Sequence, residues 1–393
     1  RDDIFIKFSI QYQETNLNYL SRLLEHEGIF YFFEHQADKH ILVFCDTEAF
    51  YQNIAGDPVL PFNQNGALAE TEHVHAFDIT ERLRPGKLTQ KNYNFKTPSA
   101  DLTTDDTGKT GTDFEVYAYP GPYGETNRGK TLSEIRLQEL NALSTRGAGG
   151  GCCARFQSGA LFTLTGHTNG DCNGEYFFYS VSHEGNQPQV LKELGAGKAS
   201  YGNRFMVIPS SVVYRPERKT LKPMVPGMLS AVVTGPEGED IWPDEWGRVN
   251  VQFHWDREGR YNDKSSCWLR TVQFWNGTTW GSQFIPRIGD EVLVSFIDGN
   301  MDYPIIMGCG VNEARRPNYD LPVNKTQSGI KTRSTPDGGA DNYNELRFED
   351  KTGKEEIYLQ GEKDWNILIK NDKGQNVGHD ETLNVTNNRT KTV

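Results

Sequence analysis

Gly124-Glu125-Thr126-Asn127-Arg128-Gly129-Lys130-Thr131 satisfies the spacing G-x-x-x-x-G-K-[ST] of a phosphate-cradling loop, and a helical pattern follows it. Such a loop binds a nucleotide only where it leaves a buried, apolar, parallel strand. Here the approach, Glu115-Val116-Tyr117-Ala118-Tyr119, alternates in polarity and runs into Pro120-Gly121-Pro122. The magnesium carboxylate should end another apolar strand, but the best downstream candidate, Asp298, falls in a strand of a different kind of sheet. His73 and His75, two apart in an extended segment, share a face and could ligate a metal, yet no third ligand can be named, so half-buried or exposed histidines are expected. Cys152 and Cys153 are adjacent, which sends their thiols to opposite faces and disfavours a mutual disulfide. There is no G-x-S-x-G, and the acid pairs Glu355-Glu356 and Asp105-Asp106 lie in polar stretches where solvation accounts for them. No catalytic, cofactor-binding or metal-ligating residue is assigned, and the chain is expected not to be an enzyme.

Composition narrows the alternatives. The formal charge of −12 repels phosphate backbones and anionic lipid heads, so nucleic acid is not an expected partner. The six cysteines have no C-x-x-C spacing, the usage of a protein made in a reducing compartment. Arg1, Asp2 and Asp3 lack the charged-then-apolar layout of a signal peptide, and no run of apolar residues is long enough to span a bilayer; export, if it occurs, is expected to bypass the general secretory route. Trp242, Trp246, Phe253, Trp255, Trp268, Phe274, Trp275 and Trp280 raise base or sugar stacking. Twelve acidic against six basic residues between Val225 and Val311 argue against bases. Packing against neighbouring subunits is the expected use of these rings, with a carbohydrate-binding module as the rival.

The elements that position these residues are mostly strands. The 39 glycines and 18 prolines imply many turns. Residues 13–28 predict a helix with an apolar stripe of Leu17, Leu20, Leu23 and Leu24, an N-cap at Thr15 and a stop at Gly28. Ile29 to Glu34 and His40 to Cys45 then predict a hairpin around Gln36-Ala37-Asp38-Lys39. A second helix is expected from about Leu132 to Leu143, with Gly147 just past its end. After a polar, proline-bearing link at 215–224 come five strand candidates, Met228 to Thr234, Gly247 to Trp255, Cys267 to Phe274, Glu291 to Ile297 and Pro304 to Met307, which fit a small closed barrel of the oligonucleotide/oligosaccharide-binding (OB) type. Beyond Pro317 the chain turns polar, but Ile369, Val377, Val385 and Val393 recur every eight residues. Eight is even, so the row keeps to one side of an extended chain. One row is too narrow for a core, and several identical chains around a common axis would supply the rest.

The segments Tyr12–Thr15 and Leu23–Glu34, Tyr117–Gly121, Phe162–His167, Gly247–Asp256, Pro286–Val292 and Asn344–Glu355 resemble those of the VgrG family, the spike proteins of the bacterial type VI secretion system. The resemblance spans nearly the whole chain. It implies a mainly β fold with minor α: a hub of β-barrels at 1–214, the link 215–224, an OB barrel at 225–311, a connector at 312–340, and at 341–393 the start of a trimeric intertwined β-helix. It further implies a homotrimer that caps the Hcp tube, carries a PAAR-type tip protein and secreted effectors, and is driven through a target-cell envelope after assembly in the bacterial cytoplasm. Ile369, Val377, Val385 and Val393 are then expected to line the trimer seam. Part of the hub is expected to precede residue 1, and the stretch between Val311 and Asn344 is too short for the lysozyme domain that the phage counterpart can carry.

Overall fold

The computed structural model describes residues 8–64, 71–188 and 199–392. They fall into two compact units, one of Gln11–Pro223 and one built on Met224–Val393.

The first unit begins with α1 (Asn16–Glu27). Thr15 accepts a hydrogen bond from the Asn18 N–H, and Gly28 ends the helix at φ 67°, as local capping chemistry predicts. The buried face differs from expectation. Leu17 and Leu20 are exposed, at 61% and 40%, whereas Arg22, Glu25 and Glu27 point inward. Each inward charge is answered: Arg22 pairs with Glu14 at 2.8 Å, Glu25 accepts from the backbone and hydroxyl of Thr220, and Glu27 meets Arg128. An apolar stripe says which residues group together, but not which side of the helix the rest of the fold covers.

β1 (Phe30–His35) and β2 (His40–Cys45) form an antiparallel hairpin. β3 (Gln52–Asn53), β4 (Val59–Pro61) and β5 (Val74–Glu81) follow, then a small sheet of β6 (Lys87–Gln90), β7 (Thr104–Thr107) and β8 (Glu115–Ala118). α2 runs over Thr126–Asn141, six residues earlier than the expected start at Leu132. β9 (Thr145–Gly151), β10 (Ala160–Thr165), β11 (Gly174–Asn186) and β12 (Ser200–Pro209) complete the main sheet, in the order β3-β10-β11-β12-β9-β5 with β4 also on β10. A bridge between Phe62, just past β4, and Val74 of β5 joins the two ends, so this sheet closes on itself. Its interior is aromatic: Phe162 and Phe178 stack at 4.6 Å, and Phe156 lies 4.6 Å from Phe178. The glycine run of β9 is part of that packing rather than a loop. A Cβ on Gly149 would stand 2.4 Å from the Phe205 ring, and one on Gly147 2.7 Å from Phe77.

A second aromatic cluster joins the hairpin to the sheet. Tyr51 stacks on Phe177 at 4.0 Å, Phe30 meets Tyr214 edge-on at 5.1 Å, and the Tyr214 N–H donates to the Tyr51 hydroxyl at 3.2 Å. Burial pushes both phenols up to about 12 from an ordinary value of 10.0. The folded state therefore holds these protons after the unfolded chain has released them. Stability is unaffected by this pair below pH 10 and falls as pH rises from about 10 to about 12. Urea midpoints measured across that range should drop steeply, and Tyr51→Phe with Tyr214→Phe should flatten the drop.

The second unit opens with a barrel of β13 (Leu229–Thr234), β14 (Asn250–Phe253) and β15 (Arg270–Thr271), an excursion hairpin of β16 (Asn276–Gly277) and β17 (Trp280–Gly281), then β18 (Glu291–Phe296) and β19 (Pro304–Cys309). The strand order is β14-β13-β18-β19-β15, with β15 parallel to β19, and the Val249–Leu269 bridge closes the ring. Ala231, Val233, Val251, Leu269, Val292, Val294 and Ile306 fill it. The expected strand Cys267 to Phe274 shrinks to two paired residues because the chain leaves the barrel into the β16–β17 hairpin.

Candidate assembly surface

Past the barrel, β20 (Gln327–Lys331), β21 (Glu345–Glu349) and β22 (Glu356–Gln360) form an antiparallel sheet. The register sets Ile330, Leu346 and Leu359 side by side, with Phe348 and Ile357 on the next rung. Because side chains alternate across a strand, these five share one face, while Gly329, Arg347, Tyr358, Glu345 and Glu356 share the other. The two faces are inverted relative to an ordinary protein. The five apolar residues are 37–73% exposed, whereas Glu345 is 3% exposed and Arg347 and Tyr358 are half-buried. The polar face carries its own pairings: Arg347 lies 3.1 Å from Glu356 and 4.5 Å above the Tyr358 ring. Tyr319 covers it so closely that a Cβ on Gly329 would stand 2.5 Å from the tyrosine hydroxyl. An isolated three-stranded sheet with its apolar side in water is half a core.

From Gly361 onward the chain is extended and interrupted by bends at 362–363, 370–371, 378–379 and 386–387, a spacing of eight. Ile369, Val377 and Val385 each stand immediately before a bend and are 46–48% exposed. Val393 lies outside the described residues.

The other candidates are dispersed. Gly129, the second glycine of the loop motif, sits inside α2, where a Cβ would meet the Tyr123 ring at 2.6 Å and Thr104 at 2.7 Å; packing explains it. Lys130 is exposed, and β8, which precedes the motif, lies at the edge of a three-stranded sheet. His73 is buried with Nδ1 2.9 Å from the Thr71 carbonyl, while His75 is exposed across a β-bulge, with ring centroids 6.4 Å apart. Cys152 and Cys153 are both free thiols; burial pushes Cys153 up. Of the barrel rings, Trp275 and Trp280 meet edge-on at 5.1 Å on the excursion hairpin and Phe274 stacks near Phe284, all four exposed.

The inverted sheet could have been sought in the alternation of Glu345-Leu346-Arg347-Phe348-Glu349 and Glu356-Ile357-Tyr358-Leu359-Gln360. Comparison with known proteins divides the chain in the same order. Residues 1–189 match the phage tail baseplate hub (GPD) family, residues 232–310 the type VI secretion system/phage-baseplate injector OB domain, and residues 328–393 the bacteriophage T4 gp5 C-terminal trimerisation domain. The type VI secretion system spike protein VgrG1b of Pseudomonas aeruginosa is 39% identical over 96% of this chain and 52% of its own length. The actin cross-linking toxin VgrG1 of Vibrio cholerae is 36% identical over 98% of this chain and 35% of its own. This chain thus spans about half the length, or less, of these relatives. In fold it is similar, at a TM-score of 0.50 and 19% identity over 77% of this chain and 62% of the other, to an E. coli type VI secretion component with structural similarity to the T4 tail proteins gp27 and gp5.

Hub, injector barrel and trimerisation segment in one chain define the class of phage-tail-like hub-and-spike proteins. Within that class the chain belongs to the VgrG family of type VI secretion spike proteins.

Proposed function

We propose that this chain is the hub-and-needle part of a type VI secretion spike, a homotrimeric, non-enzymatic puncturing device. The observation that carries the reading is the inverted sheet, whose apolar face lies bare in a single chain and within the segment similar to a trimerisation domain. Three copies turned about one axis would bury that face against its equivalents and leave the arginine-and-acid face, already covered by Tyr319, directed away from the axis. The bends every eight residues support continuing the same seam along Ile369, Val377, Val385 and Val393. In this reading the hub is 1–214 and the barrel 225–311, joined by 215–224, while 312–340 leads into the needle at 341–393. The hub caps the Hcp tube and the needle bears a PAAR-type tip protein. The particle is assembled in the cytoplasm and carries effectors across a target-cell envelope.

Light scattering on the chain tests this directly: a trimer of 44.4 kDa chains has a mass of about 133 kDa. Val377→Asp combined with Val385→Asp should lower the thermal midpoint of the trimer by several degrees. An unchanged midpoint would show that the seam register is wrong even if the trimer stands.

A further inference from the structure

The geometry points to a metal site at the tip of the β1–β2 hairpin, where His35 and His40 would hold a divalent transition cation of tetragonal preference, copper(II) foremost, through their Nδ1 atoms. The two residues form the last rung of the ladder, closed by a turn in which the Gln36 N–H donates to the Lys39 carbonyl at 2.9 Å. Directly opposed residues on one face have Cβ atoms about 4.5–5.5 Å apart, so the strands themselves hold the imidazoles together. Their Nδ1 atoms stand 2.8 Å apart, with ring planes at 79°. At that separation one ring donates a proton to the other. When the donor ring carries that proton on its own Nε2 instead, both Nδ1 lone pairs are free and the two neutral rings can turn them onto one cation.

Ligand chemistry ranks the metals. Two imidazole nitrogens with the other positions left to water bind divalent first-row cations in an order that peaks at copper(II), and neighbouring ligands on one hairpin rung can take adjacent corners of its square-planar sphere. The remaining histidines with resolved contacts use Nδ1 otherwise: His73 on the Thr71 carbonyl and Cys152, His183 on the Tyr201 hydroxyl, His26 on Glu27, His167 on Asn169, and His379 on Asp380. Among the described residues no group of three or more His, Cys, Asp or Glu is arranged around a metal position, so water would complete the sphere and the ion would exchange readily. Its effect would be to staple the turn end of a two-stranded element, which is marginal alone.

The test is calorimetric titration of copper(II) chloride into the chelator-treated full chain, with electron paramagnetic resonance to count equatorial nitrogens. One ion per chain with two imidazole nitrogens is expected, at least about tenfold tighter than zinc. His35→Ala and His40→Ala should each weaken binding at least about tenfold and remove the two-nitrogen signature, while His73→Ala and His75→Ala change neither. Both tip residues are exposed, and circular dichroism will verify that the variants fold. Copper binding that is equally tight in His35→Ala and His40→Ala, or a spectrum without two nitrogens in the parent chain, would overturn the assignment.

Discussion

Leu346→Asp combined with Phe348→Asp should convert a particle of about 133 kDa into single chains of 44.4 kDa. Fully burying a side chain of this size is worth about 1.5–3 kcal/mol, and five partly exposed ones per chain therefore contribute several kcal/mol of assembly energy to each subunit. Two carboxylates on that face remove part of this gain and must also be desolvated without a partner, which costs more than the remaining three residues can return. Glu356→Ala on the opposite face is the control; Glu356 is an exposed partner of Arg347, and its loss leaves the five apolar residues untouched, so the trimer should persist. Sedimentation or light scattering at several concentrations distinguishes loss of association from a shift in its midpoint. A double-aspartate chain that remains trimeric at micromolar concentration would show that the five residues are not the shared core.

Arg215→Ala should destabilise the first unit by about 3 kcal/mol or more. Although Arg215 lies in a stretch that reads as a solvated link, its side chain is 6% exposed. Its guanidinium donates to the Gln138 side chain at 2.8 Å, to the Gly28 carbonyl at 3.0 Å and to the Asp46 carbonyl at 2.6 Å, tying α2, the end of α1 and the end of β2 together. Arg218 on Glu139 and Thr220 on Glu25 extend the same clamp. Each hydrogen bond to a charged group is worth about 1.5–3 kcal/mol, and truncation leaves acceptors facing a void. Arg215→Lys should recover only part of the loss, since an ammonium cannot reach three acceptors in a planar fork. Urea unfolding followed by near-ultraviolet circular dichroism reads this out; a loss under about 1 kcal/mol in Arg215→Ala would mean that the clamp is incidental.

What could be read from residue order was local chemistry. Thr15 and Gly28 bracket α1 because a cap needs only its neighbours, and the hairpin around residues 36–39 follows from alternation on either side of a polar turn. The barrel strands were placed where β-branched runs meet glycine corners. What escaped depended on partners distant in sequence. Leu17 and Leu20 look like a core stripe until Glu14, Thr220 and Arg128 claim the other side of α1. Gly147 reads as a helix stop rather than as part of a strand because the rings that cross β9, Phe77 and Phe205, come from other strands. Ile330, Leu346, Phe348, Ile357 and Leu359 are hard to read as a core because their segment is polar on average, although they alternate with polar neighbours.

The inverted sheet also has a genetic consequence. A shared face repeated by rotation presents every substitution three times in one particle, so a change costing about 1 kcal/mol per chain costs about 3 kcal/mol per assembly. In a cell making equal amounts of altered and unaltered chains, only about one particle in eight would contain no altered copy. Lesions on the Leu346–Leu359 face that are mild enough to allow mixed trimers should therefore behave as dominant poisons, whereas those that abolish association, like hub lesions that prevent folding before the chains meet, should be recessive.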